Sequence, residues 1–372
     1  MAENSKIEWT DHTFNPWRGC VKVSPACKNC YADALSKRNP KTLGVFGTQK
    51  QGGTRVVGTE AYWKKPLKWN LDYEEAMSQF RGGFGEFPER PRVFCASLAD
   101  VFEDWVGPMV NHKGEKLFVH RDGSWSSQQR SAPSSPPRSS LTMSDVRRRL
   151  FALIDATPNL DWLVLSKRPE NIIKFWGHPP GTPSNIPEDT DLTKISPLKL
   201  GYRPNVWIGT TVENQEQAEK RTPKLLKCRD LSPCLFLSCE PLLSDLDLQN
   251  MDDGESIYDA LTGEFEWHNG KEVGIQESID WLIVGGESGP NARPSHPDWY
   301  RSLRGQCEAA GVPFFFKQWG EWASVSEVEG AGVHHSFEDG ATVRRVGKKK
   351  AGRLLDGVEH NGFPEVKFGG VK

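Results

Sequence analysis

The sequence predicts an α/β fold built on a parallel sheet, and three observations carry that expectation. Short continuous apolar runs recur along the chain, as they do in strands buried on both faces. Segments of helical length lie between several of them, and a helix joining successive strands makes those strands parallel. Each run ends on polar side chains, and α/β proteins place their sites at the carboxyl ends of such strands. The chain of 372 residues suffices for one large domain or two ordinary ones, and barrel-type folds of this size are commonly single units.

The elements follow in order. Residues 1–19 are polar and aromatic, with Trp9, Phe14, Trp17 and Gly19 leading into Cys20. Gly19 and Pro25 suit a loop that wraps closely around something. Tyr31 to Arg38 reads as a helix start, so the stretch Cys20 to Cys30 is a loop entering a helix, whose N-terminal amides favour anionic thiolates. Residues 40–60 are rich in Gly and Lys and read as a mobile loop, and Ala61 to Asn70 is basic and aromatic together.

Six strands are expected after that. Arg92–Ser97 ends at Asp100, and Asp161–Ser166 at Lys167 and Arg168. Asn205–Gly209 ends at Thr211 and Glu213, and Cys234–Ser238 at Glu240. Ile279–Val284 ends at Gly285-Gly286-Glu287, and Val312–Phe316 at Lys317, Trp319 and Glu321. Helices are expected over Val146–Ala156, through Lys227, and near Asp298–Ala310. One charged residue after a strand is usually a solvated turn residue. Six polar strand ends in register would instead ring one mouth.

Three segments interrupt this grammar. Residues 106–143 contain a hairpin signal at Lys116–His120 and a run, Ser124–Ser140, whose Ser, Pro, Gln and Arg content predicts disorder. Residues 178–204 read as a Pro-rich loop, and 249–278 as an acidic hairpin around Thr262-Gly263. The predicted organisation is a domain over 1–323 with these insertions, then a polar extension over 324–372 that carries the basic run Arg344–Lys350.

The formal charge of −2 gives no global basic field to announce nucleic-acid binding. No stretch approaches eighteen apolar residues, and the first residues lack the apolar core of a signal peptide. The expected location is the cytoplasm, where eight cysteines serve as thiols or metal ligands rather than disulfides.

The informative motif is Cys20, Cys27 and Cys30, spaced C-x6-C-x2-C with no fourth cysteine nearby. A structural zinc site usually closes a shell of four ligands. Three thiolates on a four-iron cluster leave one iron open to a substrate or cofactor. By the motif alone both metals fit, since Cys27 and Cys30 make a zinc half-site to which Cys20 or His12 adds a third ligand and Cys95 a fourth, and three unligated thiols are a third reading. Cys95, Cys234 and Cys239 fall in apolar strands and read as core. The turn Gly285–Gly289 lacks the glycine spacing of a dinucleotide loop and the Lys-Ser/Thr of a P-loop.

Taken together, these motifs make the chain resemble the radical S-adenosylmethionine superfamily, most closely the three-Cys-motif proteins of phages and bacteria. The resemblance rests on Trp9-Thr10, on Asn15-Pro-Trp-Arg-Gly-Cys20 and on Cys27-x2-Cys30-Tyr31. It continues through Ser97-Leu-Ala-Asp100, Leu165-Ser-Lys-Arg168-Pro, Gly209-Thr-Thr-Val-Glu213-Asn, Glu240-Pro-Leu, Gly285-Gly-Glu-Ser-Gly-Pro290 and Lys317-Gln-Trp-Gly. It runs from residue 7 to about 322, recurs weakly over Gly347–Pro364, and skips the insertions. Within the superfamily the order Asp100, Lys167, Thr210-Thr211 is similar to the branch that includes spore photoproduct lyase. Two features depart from the usual pattern: the first cysteine gap holds six residues instead of three, and Asn29 stands where an aromatic is usual.

The resemblance implies a partial parallel barrel of the (β/α)6 type and favours iron–sulfur over zinc. Cys20, Cys27 and Cys30 would hold a [4Fe–4S] cluster whose fourth iron binds S-adenosylmethionine, reductively cleaved to a radical that takes hydrogen from a substrate. By position, Asp100 or Glu287 would meet the amino group of the cofactor, Lys167 or Arg168 its carboxylate, and Thr211 with Glu213 its ribose. Glu240, Arg293, Lys317 and Trp319 would face the substrate. A reducing electron donor is required. The lyase likeness and the lysines and aromatics of Ala61–Asn70 point to DNA or RNA, with bases stacked on rings, although such segments also occur as packed elements with snorkelling lysines. A partner protein encoded nearby is a further expectation. The competing class is a zinc-stabilised, non-enzymatic nucleic-acid-binding or adaptor protein.

Overall fold

The computed structural model describes residues 4–83, 86–120, 124–127, 139–176, 201–270 and 273–366. The central part of the predicted disordered run, 128–138, and most of the Pro-rich loop, 178–200, lie outside the described residues.

The protein is mixed α/β. Its main sheet is all-parallel and has seven strands: His12–Thr13 (β1), Arg92–Cys95 (β2), Asp161–Ser166 (β3), Val206–Thr211 (β4), Cys234–Cys239 (β5), Trp281–Gly285 (β6) and Phe314–Gln318 (β7). Strand order in the sheet is the order in sequence. The six predicted strands are all present, their ends moved by no more than two residues. The seventh, β1, is only two residues long and pairs with Val93 and Phe94 of β2. A strand that short leaves no apolar period for a sequence reading to find.

The chain forms two compact units. The first comprises Met1–Val23, Ala32–Leu165 and Ile173–Val206. Its core surrounds β2 and the body of β3, where Val93, Leu163 and Val164 are fully buried. A helix over Lys65–Arg81 (α2, after α1 at Tyr31–Arg38) and another over Met143–Asp155 (α3) belong to it. Thr142 caps α3 through a reciprocal capping box with Asp145, and the apolar positions Val146, Leu150, Phe151 and Ile154 are all buried.

Two expectations for this unit are corrected. Residues 40–60 are not a loose loop. They contain a short helix, Pro40–Leu43, and a strand, Arg55–Val57, held because the fully buried Arg55 pairs in bidentate fashion with Glu103 at 2.7 and 2.6 Å. Ala61–Asn70 is not a stacking platform. Tyr62, Trp63 and Trp69 are buried and packed against Phe14 and His12, while Lys64 and Lys68 point to solvent. Large rings gain most from the core, and the lysines keep their charges wet.

The second unit comprises Ser24–Tyr31, Ser166–Ile172 and Trp207–Lys372. Strands β5 and β6 are buried along their whole length, as their uninterrupted apolar runs require. Asn214 caps the helix Gln215–Leu226 (α4), and Gly311, at φ +69°, closes the helix Pro297–Ala310 (α5). The insertion expected as one acidic hairpin is a four-stranded antiparallel meander over Met251–Asp252, Ser256–Tyr258, Glu264–Trp267 and Val273–Ile275, with the Thr262-Gly263 turn inside it. The C-terminal extension is folded over its described residues, up to 366. Its strands Trp322–Ser324, His334–Ser336 and Thr342–Arg345 form a small antiparallel sheet. The chain then returns beside β7, where Phe316 N–H donates to His360 O and Gly362 N–H to Phe314 O.

Among the described residues, no helix is long and apolar enough to cross a membrane.

Candidate functional site

Strands β4 to β7 run parallel, so the residues after each of them share one edge of the second unit. The loop Ser24–Tyr31, which carries Cys27 and Cys30, belongs to the same unit. Pro25 starts a 3-10 turn over Pro25–Cys27, its fixed φ suiting the first position, and Cys27 N–H closes the turn on Ser24 O at 2.9 Å. Tyr31 then begins α1.

Two strand-end carboxylates hold this loop. Glu213, just beyond β4, is completely buried and accepts from Ala26 N–H at 3.0 Å. Its other oxygen meets Arg221 of α4 at 2.9 Å, and the same guanidinium nitrogen donates to Thr211 O at 2.7 Å. Glu287, just beyond β6, accepts from the Asn29 side chain at 3.1 Å. Arg293 grips both of its oxygens, Nε at 2.8 Å and Nη2 at 2.5 Å, and adds its own backbone N–H at 2.8 Å. The remaining Arg293 nitrogen donates to Pro25 O at 3.1 Å, and Asn29 also donates to Asn291 O at 2.7 Å. Burial works against the charged form of Glu287, but the hydrogen bonds from Arg293 and Asn29 outweigh it and hold the carboxyl below the usual range.

The other strand-end groups of this unit make a second polar set. Lys317 Nζ sits 2.5 Å from Glu240 Oε1, both side chains mostly covered. Gln318 donates to Ser288 Oγ at 3.1 Å. Lys167 donates to Thr211 Oγ1 at 3.2 Å, while Arg168 is buried and its N–H turns back to Ser166 Oγ. Trp319, expected to face a substrate, is a core residue: it is 1% exposed, packs edge-on against Tyr300 and Phe316, and donates its indole N–H to Leu354 O.

Cys20 and Asp100 belong to the first unit. Cys20 O accepts from Gly47 N–H, and the preceding Gly19 N–H donates to Leu98 O. Gly19 has φ +107°, and a Cβ there would lie 2.3 Å from Thr54 O, so only glycine fits before this cysteine. Asp100 is buried and caps its own turn through Phe102 N–H at 3.0 Å.

The eight cysteines fall into two sets. Cys20, Cys27 and Cys30 are partly exposed, whereas Cys95, Cys228, Cys234, Cys239 and Cys307 are buried. Burial raises the Cys95 and Cys239 thiols well above their usual value and pushes Cys228 and Cys307 up to about 12. With no metal to displace the proton, those four are held as neutral thiols.

One grouping escaped the sequence reading. A nitrogen of His296 and carboxylate oxygens of Asp298 and Asp339 lie within 4.8 Å of one another. Its contacts explain it as a helix cap: Nδ1 accepts from Asp298 N–H at the start of α5, and Nε2 pairs with Asp339 at 2.9 Å.

Fold and site together define an α/β protein in which polar ends of parallel strands support a cysteine-bearing loop. The chain belongs to the family described as "Protein of unknown function (DUF5131)", which it matches over residues 4–115 and 140–364. No curated protein and no solved structure matches it.

Proposed function

We propose that this protein is an iron–sulfur enzyme of the radical S-adenosylmethionine type, with Cys20, Cys27 and Cys30 as ligands of a [4Fe–4S] cluster and a nucleic-acid base as substrate. The observation that carries the reading is the partition of the cysteines: the three of the motif keep exposure, and burial shields the other five. When bound, such a cluster with S-adenosylmethionine supplies reductive C–S cleavage and, through it, hydrogen abstraction from a substrate.

The residues of the chain bind and orient. Lys317 and Glu240 offer a cation and an anion side by side at the strand ends, and Lys167 with Thr211 offers a second donor pair. In this reading the first pair faces the substrate, and Lys167 with Thr211 suits the carboxylate and ribose of the cofactor. Support for a polyanionic substrate comes from the C-terminal extension. Lys348, Lys349 and Lys350 are all exposed, and the neighbouring Arg345 donates to Gly289 O and Pro290 O, in the loop after β6. The strip is thereby tied to the loop that follows Glu287.

The test is anaerobic reconstitution with iron and sulfide, then dithionite and S-adenosylmethionine, with 5′-deoxyadenosine as the readout and Cys27→Ala alongside. Product from the wild type and none from the variant is the expected result. A colourless protein with stoichiometric zinc and no cluster refutes the proposal and favours the zinc-stabilised adaptor.

A further inference from the structure

We infer that Glu213 and Glu287 are positioning residues for Cys27 and Cys30, each fixing the residue that precedes one cysteine. The inference takes its site from the cysteine loop of the proposed function and assigns these two acids to the loop instead of to a cofactor. Ala26 precedes Cys27, and its N–H ends on Glu213. Asn29 precedes Cys30, and its side chain ends on Glu287. The two carboxylates follow different strands, so the spacing of the two cysteines is set by the sheet and not by the loop alone.

Each acid is committed to this task. Glu213 is 0% exposed and the Arg221 side chain 4%, so the pair has left water entirely. A buried ion pair persists where hydrogen bonds satisfy its remaining lone pairs, and the loop N–H does so here. A cofactor amine or hydroxyl could reach Glu213 only by displacing the loop. Glu287 carries Arg293 on both oxygens together with Asn29. None of the bonds that hold the loop at Pro25, Ala26 and Asn29 uses a sulfur atom. The backbone is fixed through groups other than the thiols, and Cys27 Sγ lies 3.8 Å from Ser24 Oγ. Asn29, which departs from the aromatic usual at its position, supplies the amide that an aromatic ring lacks.

The second clamp is braced in turn from the C-terminal extension. Trp322 donates to Ala292 O, and Arg345 to Gly289 O and Pro290 O. These bonds fix the turn whose Asn291 O also receives Asn29.

The experiment uses the full chain without metal, reduced and anaerobic, and follows iodoacetamide labelling of every cysteine by peptide mass spectrometry. Loss of a hydrogen bond to a charged group should raise local opening by about tenfold or more. Asn29→Ala should therefore speed Cys30 about tenfold while Cys27 stays within about twofold. Glu213→Ala should speed Cys27 in the same way. A purely structural role would move both cysteines together. If Asn29→Ala leaves Cys30 unchanged, or moves Cys27 equally, the inference fails. If Glu213→Ala does not fold, Asn29→Ala decides alone. Labelling needs no cluster, so a chain that passes this test but takes up no iron loses the proposed function and keeps the inference.

Discussion

The Arg55–Glu103 pair lies deep in the first unit, and removing one partner is a direct probe of it. The Arg55 side chain is 0% exposed and that of Glu103 3%. The guanidinium lies 4.0 Å from the Trp105 ring centroid and also donates to Thr54 O at 2.9 Å. Glu103→Gln would replace an anion that receives two hydrogen bonds with an amide that turns a donor toward the guanidinium. Breaking a buried pair from one side costs about 3–5 kcal/mol, because the surviving charge stays buried without its counter-ion. With a urea dependence of about 1–3 kcal/mol per molar, the unfolding midpoint should fall by about 1 M or more. The double variant Arg55→Met, Glu103→Leu should recover most of this loss, since two apolar groups of similar volume leave no charge behind. The assay is urea titration followed by circular dichroism. A Glu103→Gln midpoint within about 0.3 M of wild type, or a double variant as weak as the single one, would refute the reasoning.

Three further outcomes are expected. Burial pushes the Asp161 carboxyl up to about 6 against the pull of Arg90, so the folded state prefers the protonated acid. Its contribution is therefore most favourable below the unfolded value near 3.9 and is lost as pH rises to about 6, roughly 3 kcal/mol at 1.36 kcal/mol per unit. Asp161→Asn should gain that much on wild type between pH 4 and pH 7 in urea titrations; a constant difference contradicts it. A Cβ on Gly286 would sit 1.9 Å from Trp319 O, where β6 and β7 approach, so Gly286→Ala should cost about 1–3 kcal/mol; wild-type stability would show that the backbone yields freely. Replacing Lys348, Lys349 and Lys350 by Ala should lower the salt slope of single-stranded oligonucleotide binding by about two, near 0.7 per lysine, measured by anisotropy; an unaltered slope removes the strip from the interface.

The sheet was legible because its strands are buried on both faces and so write themselves as apolar runs. The strand ends were legible for the same reason, since each run stops at a charge. What those charges touch was not legible. Glu213 finds Arg221 on the following helix and Ala26 nearly two hundred positions earlier, and no local pattern encodes either. Ala61–Asn70 misled because a stacking platform and a packed amphipathic helix share one composition, and only the direction of the rings separates them. The acidic insertion showed its one strong turn, Thr262-Gly263, but not the strands around it, which are two to four residues long.

The segment that the family match leaves out, 116–139, enters and leaves the first unit at nearly one point. Phe118 pairs with Ser140, and Leu141 N–H reaches Leu117 O at 2.8 Å. Its Trp125 rests on the Arg149 guanidinium, whose distances to the Trp125 and Trp63 ring centroids are both 4.7 Å. With its two ends paired side by side, chain could be lengthened or removed at this seam without re-registering a strand of the main sheet. For the protein engineer it is a port. A fluorescent protein or an affinity handle spliced between Leu117 and Leu141 would hang from two adjacent attachment points.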